Sequence, residues 1–344
     1  MKLEKSMVLL MCAIMCSYLL YSNLSDHDQQ VVIHLLDRMT NSRRSHARSA
    51  VHGTPQNLSV CPSVLVRSRF AFVTYIGINQ LIAPKVLWYI VGACKLAQSL
   101  LRFSPEVDFV MLLAIEDGLS LPRYQQDMIE WSGWQICRVD FIASKNLIHH
   151  RFYDAKIFTK LHVFKLIEYE AIACIDSDMF AVQNASGLFY EIWPDMQLRN
   201  LTFAMALDYP RASTPRTVIH YLIGKCIPVP SHYNAGIFML QPSLQTYRDL
   251  TVAMNIDTYD LSMCEQGLLN DFFRGRTYEL PYKYNANLVL KACDPDFYLQ
   301  QKSQIAILHF TVAKPWMTSM WADEWMWSCP WWHISEECTA WAVF

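Results

Sequence analysis

A mostly parallel, Rossmann-like α/β sheet flanked by helices and forming a single domain is the fold class this sequence predicts, and three observations carry it. Strand-like and helix-like segments alternate from residue 69 onward. The strand-like segments are near-continuous apolar runs, as strands buried on both faces are. Of the 344 residues, 53% are hydrophobic, which is ample for one large core.

Taken in order, "RFAFVTYIG" opens the domain as a buried strand. In "PKVLWYIVGACKLAQSLLRF" the apolar residues Val86, Tyr89, Ile90, Ala93, Leu96, Leu100 and Leu101 recur at helical spacing behind Pro84, which suits a first turn. "VDFVMLLAI" is the next buried strand, followed by the helical "RYQQDMIEWSG", the strand-like "WQICRVDFI", the helical "TKLHVFKLIEYE" and the strand "AIACIDSDMF". Ligands of such sheets gather at the carboxyl ends of the strands. Asp176 and Asp178 stand at such an end, one residue apart. At strand spacing they point to the same face, so both carboxylates can converge on one cation. A lone Asp-Ser-Asp also serves as a turn cap, and its company downstream decides between the two.

Outside the alternating region the chain changes character. "MKLEK" precedes an apolar stretch, Met7 to Ser22, which reads as an uncleaved signal anchor, with a cleaved signal peptide as the competing reading. The lysines ahead of it keep the N-terminus cytosolic, so that the chain beyond about Asn23 is lumenal. Sequons at Asn57, Asn184 and Asn200, with a fourth at Asn23 close to the membrane, agree with that compartment. So does cysteine usage: nine of the 11 cysteines lie beyond the apolar stretch, which permits disulfides and leaves an odd thiol. No Cys-x-x-Cys pair is present to suggest zinc. Residues 23–68 are polar and weakly periodic, a stem. With 29 Lys+Arg against 31 Asp+Glu, the chain lacks the global positive field of a nucleic-acid binder.

Residues 158–189, "FTKLHVFKLIEYEAIACIDSDMFAVQNASGLF", carry a resemblance to family 8 glycosyltransferases, the family of glycogenin and of plant glucuronosyltransferases acting on xylan. Four further blocks follow in the family's order: "FAMALDYP"; "HYNAGIFMLQPSLQTYRDL"; "CEQGLLNDFF"; and "LPYKYNANLVL" with "IAILHFTVAKPW". The resemblance covers about residues 69–317 and implies a type-A glycosyltransferase fold, Mn2+ or another divalent cation, and transfer with retention of anomeric configuration. It implies Asp176, Asp178 and His309 as metal ligands, a set of carboxylates and one imidazole that suits Mn2+. Lys160 and Lys314 would stabilise charge on a departing UDP, and Asn234 and Gln266 would line the sugar pocket, Gln266 beneath the anomeric carbon. Thr74, Ser177 and Gly236 fall on nucleotide- or sugar-contacting positions, while Asp208 is either a sugar or acceptor contact or a turn aspartate before Pro210.

The chain also departs from the family pattern. Glu265 replaces an aspartate, Met263 and Cys264 replace small residues, Val312 replaces a glycine beside the phosphates, and "TYIGINQ" replaces a polar nucleotide contact. Two function classes therefore stand. One is a Mn2+-dependent retaining glycosyltransferase, a single-pass type II Golgi membrane protein acting from a UDP-sugar on a glycan or glycolipid, or secreted if its leader is cleaved. The other is a non-catalytic nucleotide-sugar- or glycan-binding protein on the same scaffold. Retention of Asp176, Asp178, His309, Lys160, Asn234 and Gln266 together favours the enzyme, with Asp208 and Glu265 the remaining catalytic candidates. Seven of the 11 tryptophans fall in residues 316–344, where they either cover a hydrophobic flank of the domain or offer a stacking platform for an acceptor glycan.

Overall fold

Buried apolar runs become strands in the order their alternation predicts. The computed structural model describes residues 61–79, 84–145, 155–208, 232–256, 258–288, 290, 295–311 and 314. The apolar N-terminal stretch, most of the stem, Asn57, Val312 and the tryptophan-rich tail lie outside these residues. In chain order the main elements are β1 (Phe70–Ile78), α1 (Pro84–Leu101), β2 (Asp108–Ile115), α2 (Arg123–Trp131), β3 (Gln135–Arg138), β4 (Ala171–Ile175) and β5 (Met179–Ala181). They continue with α3 (Trp193–Leu198), β6 (Phe203–Leu207), β7 (Tyr233–Leu240), α4 (Leu244–Ala253), α5 (Cys264–Phe272), β8 (Tyr278–Leu280), β9 (Ala286–Asn287), α6 (Pro295–Gln301) and β10 (Ile307–His309). By its internal contacts the chain divides into two units. One comprises residues 57–120 and 129–316 and holds the sheets described next; of the other, residues 121–128 are described and contain the start of α2.

Seven strands form one sheet in the order β3-β2-β1-β4-β7-β6-β8. All neighbours run parallel except β7, which is antiparallel to both β4 and β6. The expected mostly parallel sheet is thus the one found. β1 to β3 step outward on one side and β4 begins on the other, so the topological switch point lies between β1 and β4. A second, three-stranded sheet, β5-β10-β9, starts three residues beyond β4. β10 runs antiparallel to β5 with His309 opposite Met179.

Packing explains where simple periodicity misled. "TKLHVFKLIEYE", expected as an α-helix, is instead the end of a 3-10 helix over Ala155–Lys165 followed by turns. Phe158 to Phe164 are buried without a break, so the segment has no solvent face to phase it as an amphipathic helix. Side-chain bonds hold its tighter winding, with Thr159 Oγ1 accepting from Ile142 N at 2.8 Å and the His162 ring 2.9 Å from Asp140 O. Strand β3 stops at Arg138, four residues long.

The last residues assigned to the stem are part of the fold. Cys61 is disulfide-bonded to Cys137 in β3. Beside it, Ser63 Oγ donates to Ile136 O at 2.8 Å, and Leu65 exchanges two bonds with the Gln135 amide. This strap covers the outer edge of β3, which would otherwise offer unpaired backbone groups. The disulfide spans 76 residues of sequence, and closing a loop of that size restrains the unfolded chain by about 4 kcal/mol. Peptide mapping without reductant should recover a Cys61–Cys137 linked pair, and Cys61→Ser should lower the melting temperature by several degrees. An unlinked pair of thiols in protein secreted from cells would overturn the assignment.

Candidate active site

The site is assembled by register. Residues after β4 continue its pairing with β7, as Asp176 N donates to Gly236 O at 2.8 Å, which seats Asp176 against Gly236. The β5–β10 pairing then carries His309 back to the same place, and Phe310 N donates to Asp178 O at 3.1 Å. Potential ligand atoms of Asp176, Asp178 and His309 consequently lie within 4.8 Å of one another. Asp178 is buried and Asp176 is half-buried.

Both aspartates are held by lysines. Lys160, buried, sits 2.7 Å from Asp176 Oδ1 and 2.9 Å from Glu265 Oε1. Lys314 donates to Asp178 Oδ2 and to the carbonyls of Phe310 and Thr311, each at 2.9 Å. Burial alone would lower the Lys160 pKa, but the charges of Asp176 and Glu265 outweigh it and hold the amine well above its ordinary value. Lys314 is likewise raised, with burial opposing and Asp178 prevailing. Burial pushes the Asp178 carboxyl up, and the Lys314 ammonium with the His309 ring overcomes it, keeping the carboxyl well below the usual carboxylate range. Cys174, behind Asp176, is pushed up to about 12 chiefly by burial and is no nucleophile.

These groups face a cavity of about 390 Å3. Asp176, Asp178, Asp208, Asn234, Gly236, Glu265, Gln266, His309 and Lys314 line it, together with Met263, Asn287 and Thr311. Lys160 reaches the site through its two carboxylates rather than by lining the cavity, and Ser177 is buried beside it. Thr74 is brought to neither place: it is fully buried in β1, with a hydroxyl that has no hydrogen-bond partner. Asp208 is more than a turn residue. Its two oxygens accept from Asn234 Nδ2 at 3.3 Å and Gln266 Nε2 at 3.1 Å. The Gln266 amide nitrogen also lies 3.2 Å from His232 Nε2, while its oxygen accepts from Ala235 N at 2.9 Å. With both hydrogens engaged, Gln266 keeps one amide-oxygen lone pair beyond the bond from Ala235.

The residues present fit a divalent cation. Four carboxylates, Asp176, Asp178, Asp208 and Glu265, face two ammonium groups, which leaves two negative charges in excess. Asp178 Oδ1 is buried without a hydrogen-bond partner, and His309 Nε2 lies 3.6 Å from it, beyond hydrogen-bond range. The other ring nitrogen is 2.7 Å from Asn285 Oδ1, which leaves Nε2 as the nitrogen turned to the site.

Several contributing residues carry no signal in a single sequence. Asn285 and Asn287 lie within a block noted above without a role. Asn270 docks α5 on β7 by accepting from Tyr233 N and donating to Tyr233 O, both at 2.8 Å. Gly267 lets α5 approach the chain, since a Cβ there would stand 2.2 Å from Asp260 O. The departures also gain physical content. Glu265 uses its extra methylene to reach Lys160, and Cys264 adopts φ 50° immediately before it, a left-handed conformation costly for a non-glycine residue.

A mostly parallel sheet with an Asp-x-Asp pair beyond the switch-point strand, and a histidine delivered by a second small sheet, is the type-A glycosyltransferase fold that the resemblance implies. The chain belongs to glycosyl transferase family 8, whose model matches residues 87–319. It is 27% identical over 175 residues to galactinol synthase 2 of Ajuga reptans, covering 46% of this chain and 56% of that one. It is 30% identical over 166 residues to glycogenin-1 of Caenorhabditis elegans, covering 46% and 32%. The chain thus spans about half or less of these curated relatives' length. Among solved structures, galactosyltransferase LgtC in complex with donor and acceptor sugar analogs aligns over 79% of this chain and 92% of that one, at 15% identity and a TM-score of 0.47.

Gly236 provides a local test of the geometry. A Cβ there would fall 2.1 Å from His309 Cε1 and 2.6 Å from Nδ1. Gly236→Ala should displace the imidazole and cost about 1–3 kcal/mol of stability. Thermal denaturation together with Mn2+ titration checks this; unchanged melting and unchanged Mn2+ affinity would contradict the placement of His309.

Proposed function

We propose that the chain is a divalent-metal-dependent, retaining glycosyltransferase that moves a sugar from a UDP-sugar to a glycan or glycolipid acceptor. The observation that carries this reading is the ligand set at the end of β4: a buried carboxylate oxygen with no hydrogen-bond partner facing an imidazole nitrogen. When bound, Mn2+ at this set supplies positive charge to the diphosphate leaving group. Asp176, Asp178 and His309 hold it, and Asn234 with the free lone pair of Gln266 orients sugar hydroxyls. The three hydrogens of Lys314 are committed to Asp178 and two carbonyls, so its contact with a diphosphate exchanges one of these partners. The acceptor oxygen bonds to the anomeric carbon as the carbon–oxygen bond to phosphate breaks on the same face, and the hydroxyl proton passes to the departing phosphate oxygen. Both carboxylates available for a two-step alternative are occupied, Glu265 by Lys160 and Asp208 by two amides. This favours the single-step route.

A lumenal, membrane-anchored setting completes the proposal. It is supported by the Cys61–Cys137 disulfide and by exposed sequon asparagines at Asn184 and Asn200. Among the described residues no helix is long and apolar enough to cross a membrane, and Met7 to Ser22 lie outside them. Expression in secretory cells should give protein whose mass falls on glycosidase treatment; protease access to the domain in sealed microsomes would overturn the lumenal assignment.

The metal reading makes a paired prediction. Asp176→Asn and Asp178→Asn should each abolish Mn2+-dependent UDP binding measured by calorimetry. Asp178→Asn should also destabilise the fold, because it leaves half-buried Lys314 without its carboxylate. UDP binding that keeps its Mn2+ dependence in both variants removes the metal site.

Lys314 separates catalysis from mere binding. If it stabilises charge that grows as UDP departs, Lys314→Ala should lower kcat by on the order of 100-fold, about 3 kcal/mol, with a smaller change in KM. Wild-type protein that neither hydrolyses nor transfers any UDP-sugar in a broad panel with Mn2+ would favour the non-catalytic binding protein.

A further inference from the structure

His309 can serve a cation only through a bare ring nitrogen, and two neighbours compete to decide which nitrogen that is. Asp178 Oδ1, buried and without a hydrogen-bond partner, lies 3.6 Å from Nε2 and would attract a proton there. That tautomer closes the ligand set on itself. On the opposite side of the ring, Asn285 Oδ1 lies 2.7 Å from Nδ1 and draws the proton to that nitrogen.

What turns the Asn285 oxygen toward the ring is a directed chain. Asn285 Nδ2 donates to Asn234 Oδ1 at 3.0 Å, an oxygen that also accepts from Gly236 N at 2.9 Å. Asn234 must therefore present its NH2 on its far side, where it donates to Asp208 Oδ1. A carboxylate only accepts, so Asp208 is the end that cannot be reversed. Every amide between it and His309 is oriented by that fact. The same carboxylate accepts from Gln266, so one group orients both the sugar-facing amides and the metal-facing imidazole.

We propose that Asn285 is a positioning residue that fixes His309 as its Nδ1–H tautomer, and that Asp208 sets the direction of the relay. The consequence for metal binding rests on the function proposed above; the tautomer itself does not. In the full-length, metal-free protein carrying 15N-labelled histidine, His309, assigned by its loss in His309→Ala, should show a protonated Nδ1 and a bare Nε2. In Asn285→Leu the proton should move to Nε2. A protonated Nε2 in the wild type, or an unchanged ring in folded Asn285→Leu, overturns the proposal.

Mn2+ titration by electron paramagnetic resonance supplies the second readout. Asn285→Leu should weaken Mn2+ binding 10- to 100-fold, the usual effect of losing a partner of a metal-bound histidine. It should have no further effect in the His309→Ala background, and an undiminished effect there also overturns the proposal. If the wild type binds no Mn2+, the metal reading falls while the ring nitrogens still decide the relay. Should Asn285→Leu fail to fold, Asp208→Asn keeps the shape but supplies an amide that can donate back, and a mixture of tautomers is expected. A pure Nδ1–H ring in folded Asp208→Asn overturns the role of Asp208.

Discussion

Negative charge concentrated in a cleft is the constraint from which the rest of this structure follows. Two carboxylate oxygens within 4.8 Å of each other repel by roughly 3 kcal/mol or more in a partly buried setting. Such groups stay together only where surrounding structure opposes the repulsion. Here the opposing charges come from distant parts of the chain. Lys160 lies on the buried 3-10 helix and Lys314 beyond β10, each set on one aspartate of the pair. The buried winding of Ala155–Lys165 and the small β5-β10-β9 sheet thus have an electrostatic purpose: each delivers a cation, and the second delivers His309 as well.

The parts of this arrangement that were legible in the sequence are those written in local pattern. Apolar runs gave the strands from β1 to β4, and the aspartates, lysines, histidine and amides singled out by the Asp-x-Asp pair and the ordered blocks are residues that the fold gathers around one cavity. Other parts depend on contacts between segments that no local pattern encodes. Asn285 reaches His309 across 24 residues and Asn270 reaches Tyr233 across 37. Each is an ordinary loop or helix asparagine until its partner is in place. The reversed direction of β7 is equally silent, because a strand buried on both faces is apolar whichever way it runs. Thr74, which resemblance assigned to the nucleotide, has its side chain fully buried in β1.

The departures from the family pattern differ in kind. Glu265 compensates its own length by pairing with Lys160, so charge at that position is retained. Cys264 is not compensated in the same way: it holds a positive φ with a fully buried side chain. The approach of α5 to β7 then rests on Asn270 and on the space that Gly267 leaves free.

The strap of residues 61–65 has a mechanical consequence. Tension drawn along the chain ahead of Cys61 reaches β3, the outermost strand, through a covalent bond, as well as the start of β1 through the strap itself. β1 lies at the middle of the sheet, hydrogen-bonded to β4, whose end bears the aspartate pair. Part of the load is thereby taken at an edge of the sheet. A pull on the chain ahead of Cys61 therefore meets the outermost strand of the sheet first, away from the strand that carries Asp176 and Asp178.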